Sequence, residues 1–115
     1  MPFINTKISV GIDEKKEEKL KAEFGKLVSI FGKDEKWVMV AFDQKTDIWF
    51  GGDKKEKAAY VSVSLVGDPD EESCKEFTTK VCELYKNELG ITGDNIYITF
   101  HPVKGTNWGW NNQLF

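Results

Sequence analysis

The chain is 115 residues long, 40% apolar and 13% aromatic. That is enough to build one core and too little for two, so a single domain is expected and the composition argues against intrinsic disorder. Sixteen Lys plus Arg stand against nineteen Asp plus Glu, a net charge of -3, without the basic excess that a phosphate backbone requires, so nucleic acid is a poor partner. No apolar run approaches the roughly 20 residues that cross a bilayer, and the N-terminus lacks a charged segment followed by an apolar one. Membrane insertion and a standard secretion signal are therefore not expected. The expected location is the cytoplasm, with export that bypasses a signal peptide as the alternative.

In chain order, Phe3 to Val10 reads as a strand rich in aromatic and β-branched residues. A helix over about Asp13 to Phe31 follows, placing Leu20, Phe24, Leu27, Val28 and Phe31 on one face and Lys and Glu on the other. Gly32 closes it, and Trp37 to Phe42 forms the second strand. Tyr60 to Val66 is the third. Asp68-Pro69-Asp70-Glu71 then supplies an N-cap, a proline at the first helical position and an acid placed for a capping box. The helix it opens buries Cys74, Phe77, Val81, Leu84 and Tyr85 and ends at Gly90, ahead of a fourth strand, Ile96 to Phe100. In the tail, His101 to Phe115, Trp108 and Trp110 lie outside either half; they either cap the domain's own core or line an interface or pocket.

The run Gly32 to Phe42 resembles Gly90 to Phe100 with one residue shifted, so the chain reads as a repeated strand–helix–strand unit. Two such units with right-handed crossovers and parallel strands make an α/β (α+β) domain: one four-stranded sheet with both helices on one face. Along the third strand Val61, Val63 and Leu65 alternate with Ser62 and Ser64, and along the fourth Ile96, Ile98 and Phe100 alternate with Tyr97 and Thr99. The helices cover the apolar face. The mixed face has no helix left to cover it, which predicts that other copies of the chain do so.

Cys74 and Cys82 lie about 12 Å apart along a helix, too far for a disulfide, and read as core filling. With one His they fall short of a zinc-ligand set, so no metal is expected. Pro2, directly before a strand, presents a secondary amine if Met1 is removed. An α-amine titrates near roughly 7.7 to 8.0, and burial or a nearby cation lowers that value into the range useful for a general base. The plainer reading is that Pro2 only begins a strand. Lys33 at the first helix's end is either a charge complementing the macrodipole or a carboxylate ligand. Gly51-Gly52 and Gly105 read as turn glycines, Lys54, Lys55 and Lys57 as a solvated loop, and His101 before Pro102 as a surface or strand-end residue rather than a proton relay.

Taken together, Met1-Pro2 leading into Asn5-Thr6, Phe31-Gly32-Lys33, Phe50-Gly51-Gly52, Asp94-Asn95-Ile96-Tyr97-Ile98, and Gly109-Trp110-Asn111-Asn112 with Phe115 resemble the macrophage migration inhibitory factor family of the tautomerase superfamily. The resemblance spans essentially the whole chain. It implies a homotrimer whose sheets enclose a central channel, with active sites between neighbouring subunits. It also implies cofactor-free keto-enol tautomerisation of phenylpyruvate-like acids and D-dopachrome, with Pro2 as the base. Lys33 matches the carboxylate-binding lysine, Val66 stands where a backbone amide is offered, and Tyr97 matches a tyrosine from the neighbouring subunit. Trp108 and Phe115 would line the rim. Thr99 stands where the family has an asparagine, keeping a hydroxyl without the amide's donor and acceptor pair. Trp108 replaces a small aliphatic residue. Lys57-Ala58-Ala59-Tyr60-Val61 replaces a Cys-x-x-Cys motif, so thiol-redox activity is expected to be absent. The alternative function is a cytokine-like protein that binds a receptor such as the class II invariant chain; a weaker third is a ferredoxin-like module without activity.

Overall fold

The first strand, β1 (Pro2–Ile8), occupies an inner position in a four-stranded sheet in the computed structural model, which describes residues 1–115. Its neighbours are β2 (Met39–Asp43) and β5 (Ala59–Val66), and β6 (Ile96–Val103) completes the order β2-β1-β5-β6. Strands β1 and β2 are parallel, as are β5 and β6, while β1 and β5 run antiparallel. This is the repeated strand–helix–strand pattern, with α1 (Glu14–Leu27) in the first half and α2 (Glu71–Leu89) in the second.

Both helices pack on the face formed by the alternate residues Ile4, Ile8, Val61, Val63 and Leu65. Leu20 and Phe24 of α1 and Phe77, Val81 and Tyr85 of α2 join them in one buried cluster. Leu27, Phe31 and Leu84 pack only partly buried at its edge. Cys74 is half-buried, off the expected stripe, and both thiols are free. The helix ends are tighter than the sequence pattern implies. Asp13 caps α1 by accepting the Lys16 N–H at 2.7 Å, and the expected last turn is a separate 3-10 turn, Val28–Phe31, before Gly32 at φ 69°.

The start of α2 differs from the reading of its sequence. Asp70, not Asp68, is the N-cap, accepting the Ser73 N–H at 2.7 Å, and Pro69 lies outside the helix. Asp70 has the extended backbone of a cap, and Glu71 and Glu72 in the turn that follows complement the dipole. A second correction concerns residues 48–55. Ile48–Phe50 and Asp53–Lys55 form a hairpin, β3 and β4, around Gly51 and Gly52, which both have positive φ; Lys54 and Lys55 therefore sit on a strand rather than in a loop. The tail likewise folds into a hairpin, β7 (Gly109–Trp110) and β8 (Gln113–Leu114), turned by Asn111 and Asn112 in left-handed backbone. No helix is long and apolar enough to cross a membrane.

The helix-covered core encloses one polar pair. Thr6 Oγ1 and the Tyr85 hydroxyl lie 2.6 Å apart, both fully buried, and burial pushes the Tyr85 phenol far above its ordinary range. Tyr85→Phe leaves the Thr6 hydroxyl without its partner and is expected to cost about 1 to 3 kcal/mol in denaturant unfolding. Adding Thr6→Val removes the orphan, and the double variant should recover most of that loss.

Candidate active site

The antiparallel register of β1 and β5 sets Pro2 opposite Leu65, so the chain's first residues meet the last residues of β5 at one end of the sheet. Pro2 is buried there. The Val66 N–H donates to the Met1 carbonyl at 3.4 Å, and the Gly67 N–H donates to the Val103 carbonyl at 3.0 Å. Gly32, with its left-handed backbone, turns the chain out of the 3-10 turn so that Lys33 crosses to the same corner, where its ammonium donates to the Val66 carbonyl at 2.7 Å. Gly67 has φ 105°, and a Cβ built on it would lie 3.8 Å from Lys33 Nζ, so a side chain there would be both strained and set against the cation.

Pro2, Lys33 and Val66 are thus brought together by one chain. The electrostatics follow from the contacts. The α-amine of Met1 is held below its ordinary range, first by burial and then by the charge of Lys33, both of which disfavour the ammonium form.

Tyr97 and Thr99 are not at this corner. Tyr97 pairs in register with Tyr60, six residues before Val66, or about 20 Å along the strand at ~3.3 Å per residue. Both lie on the sheet face opposite the helices. Tyr97 is 64% exposed with its ring 5.0 Å from that of Phe50, and Thr99 Oγ1 lies 2.7 Å from the Tyr60 hydroxyl and 2.9 Å from His101 Nε2. His101 lies within β6, and its imidazole is engaged with Thr99.

The tail reaches the Pro2 end through aromatic contacts. Phe115 stacks on Trp110 at 5.9 Å, and Trp110 meets Trp37 edge-on at 5.0 Å. Trp37 lies two residues before the start of β2, and Met39 of β2 pairs with Phe3, which fixes this cluster at the Pro2 end of the sheet. Trp108 is half-buried, its carbonyl accepting the Phe115 N–H at 3.1 Å. Neither Trp108 nor Trp110 belongs to the core cluster, so capping the core is not their role. Trp37 is the aromatic group that the sequence reading did not place here, while Trp110 follows the pocket-lining alternative of that reading. The Asn111-Asn112 pair, two residues tolerant of left-handed backbone, was the signal for the turn that brings Trp110 back.

No group of three or more His, Cys, Asp or Glu side chains stands close enough to hold a metal ion. Burial pushes both thiols up, away from the reactive thiolate form. The corner therefore sets a cation beside an amine, with the Val66 N–H held only by the long bond to the Met1 carbonyl, which suits binding a carboxylate beside a base. Replacing Lys33 with Met removes the cation and should raise the Met1 amine in pKa, because the neighbouring positive charge no longer opposes protonation. An NMR titration of Met1-retaining protein checks this; an unchanged midpoint would mean that Lys33 does not act on the amine.

The family model described as "Macrophage migration inhibitory factor (MIF)" matches residues 1–115. Among solved structures, the chain is similar to Leishmania major MIF2, at 35% identity and TM-score 0.91, covering 100% of this chain and 97% of that one. It is also similar to a macrophage migration inhibitory factor homologue from Prochlorococcus marinus, at 34% identity and TM-score 0.89, with 98% of each chain covered. A macrophage migration inhibitory factor homolog of Trichuris trichiura is 25% identical over 115 residues, the full length of both chains.

Proposed function

The chain belongs to the macrophage migration inhibitory factor family, within the tautomerase superfamily, and on that footing we propose that it is a keto-enol tautomerase of phenylpyruvate-like acids and D-dopachrome. The observation that carries this reading is the meeting of Lys33, the end of β5 and the chain's first residues at one corner.

With Met1 removed, Pro2 presents a secondary amine in place of the Met1 amide. Burial and the charge of Lys33, which lower the Met1 amine, act on a neighbouring amine in the same sense, so the neutral, basic form is favoured near neutral pH. Removing Met1 also frees the Val66 N–H from the Met1 carbonyl. Lys33 and that N–H then hold the substrate carboxylate. In the keto-to-enol direction the Pro2 nitrogen takes a proton from the carbon next to the carbonyl. The C–H electron pair becomes the C=C bond, and the carbonyl π pair moves to oxygen as the Lys33 charge stabilises the enolate. The prolinium returns its proton to that oxygen, leaving the amine as it began; the reverse sequence converts enol to keto.

A trimer completes the site. The face bearing Ser62, Ser64 and Thr99 carries no helix, and on it Asn5 Oδ1 is buried without a hydrogen-bond partner, a group whose desolvation costs about 1 to 3 kcal/mol unless a donor reaches it. Covering that face with further copies supplies donors and brings Tyr97 of one copy toward the Pro2 corner of the next. Trp108, Trp110, Phe115 and Trp37 form the aromatic rim for the substrate ring.

Sedimentation is expected to give a particle of three chain masses. Met1-free protein should tautomerise phenylpyruvate, and acylating the Pro2 nitrogen should abolish turnover; activity with Met1 fully retained would refute the proline base. Lys33→Ala should lower kcat/KM by roughly tenfold to a hundredfold, as for loss of one charge-assisted hydrogen bond, while a helix-end charge is worth only about 0.3 to 1 kcal/mol of stability. Full activity in that variant would leave Lys33 as a helix-end charge alone.

A further inference from the structure

Thr99 is held from two sides, and the consequence lies in the counting of hydrogens. Its hydroxyl has one hydrogen and two lone pairs. The Tyr60 hydroxyl lies 2.7 Å from it and His101 Nε2 lies 2.9 Å away on the other side. We propose that His101 is a positioning residue that sets, through Thr99, whether this end of the site accepts or donates a hydrogen bond, and so which of the enol and keto forms is bound better. The inference rests on the tautomerase reading above and adds that Thr99, two residues along β6 from Tyr97 and on the same face, comes with it to the Pro2 corner of a neighbouring copy.

When Nε2 carries no hydrogen, Thr99 donates to it and accepts from the Tyr60 hydroxyl. One Thr99 lone pair is then left, which can only accept, and an enol hydroxyl fits it. When Nε2 carries a hydrogen, it donates to Thr99 instead. With Tyr60 still donating as well, the Thr99 hydrogen is free to point at a substrate oxygen, which fits a keto carbonyl. In the proposed switch the neutral ring holds its hydrogen on Nδ1 and the Tyr60 hydroxyl donates throughout, so the two arrangements differ by the one proton that Nε2 gains or loses. An asparagine would offer donor and acceptor at once; Thr99 with His101 offers them in turn.

The surroundings leave the imidazole as the group that switches. Ser64 on β5 stands beside His101 in register, with Phe3 on β1 beyond it. The other ionisable groups on this side are Tyr60, Tyr97, the Lys7–Asp43 pair, whose charges meet at 3.1 Å, and, two residues along β5 at Val66, the N-terminal amine with Lys33. The hairpin that meets Tyr97 through Phe50 carries Asp53, Lys54 and Lys55, and Lys54 is paired with Asp47 at 3.2 Å.

His101 is the only histidine in the chain, so its ring is read by NMR without ambiguity. The enol and keto forms of phenylpyruvate serve as separate substrates, and the ratio of KM for enol to KM for keto is followed across pH. In the unmodified sequence, Met1 removed, the ratio should rise about three- to tenfold as the imidazole gains its proton, the effect of one hydrogen bond. His101→Gln keeps a hydrogen-bonding partner that does not titrate, so it should retain turnover with a pH-independent ratio; Thr99→Val, which removes the hydroxyl that meets the substrate, should lower turnover and likewise leave the ratio pH-independent. Thr99→Val should also displace the ring nitrogen resonances. A ratio that keeps its pH dependence in either variant overturns the proposal, and so do ring nitrogen resonances unmoved by Thr99→Val. Acylating the Pro2 nitrogen separates the two ideas: activity that survives refutes the proline mechanism, whereas acylation-sensitive activity with an unaltered ratio in His101→Gln refutes only the role of His101. No tautomerase activity in Met1-free protein refutes both.

Discussion

The register in which Pro2 faces Leu65 is the constraint on which the corner depends. Shifting β1 by one residue would turn Ile4, Thr6 and Ile8 away from the helices and expose them, so the register is held by the same apolar alternation that makes the core. The N-terminus is therefore placed by burial three, five and seven residues into the chain rather than by contacts of its own. Anchoring an amine in this way gives it a fixed position at the end of an inner strand without committing its nitrogen to the sheet.

That position brings two opposed demands together in the proposed mechanism. A cation close to an amine favours the neutral base, since the like charge disfavours protonation. In the proposed cycle it would also make the prolinium less comfortable and so favour return of the proton. A substrate carboxylate beside Lys33 would offset part of that charge, making the amine most basic with substrate present. On that reading binding and base strength are coupled through one lysine, whose ammonium is tethered to the Val66 carbonyl at 2.7 Å.

Much of this was legible in the sequence because it rests on local rules. Alternation marked the β5 and β6 faces, helical spacing marked Leu20, Phe24, Phe77 and Val81, and the two glycines with left-handed backbone, Gly32 and Gly90, ended their turns where expected. The errors arose where two local signals competed. Asp68 and Asp70 both qualify as caps, and the extended backbone that Pro69 imposes on Asp68 suits a cap as well, so local sequence does not decide between them. The hairpins at residues 48–55 and 109–114 are short and charged or tryptophan-rich, with too few residues for periodicity to register. In the site, Lys33 and Val66 were found through a family pattern; the Trp37–Trp110–Phe115 cluster and the Tyr60–Thr99–His101 chain were not, because each joins residues that only the strand pairing brings together.

The spacing of the site along the sheet has a further consequence for how substitutions spread. Within one chain Tyr97 and Thr99 pair with Tyr60 and Ser62, five and three residues before Leu65, the residue opposite Pro2. In the proposed trimer they meet the Pro2 corner only across subunits, so the open face serves both assembly and substrate orientation. A side chain there cannot be optimised for packing alone: a larger apolar residue at Ser62 or Ser64 would bury more surface between copies but would crowd Thr99 and His101, which are their register partners on β6. Small hydroxyl residues on β5 leave room for a directional hydrogen-bond chain on the neighbouring strand. That accounts for why the face left open by the helices is mixed rather than apolar.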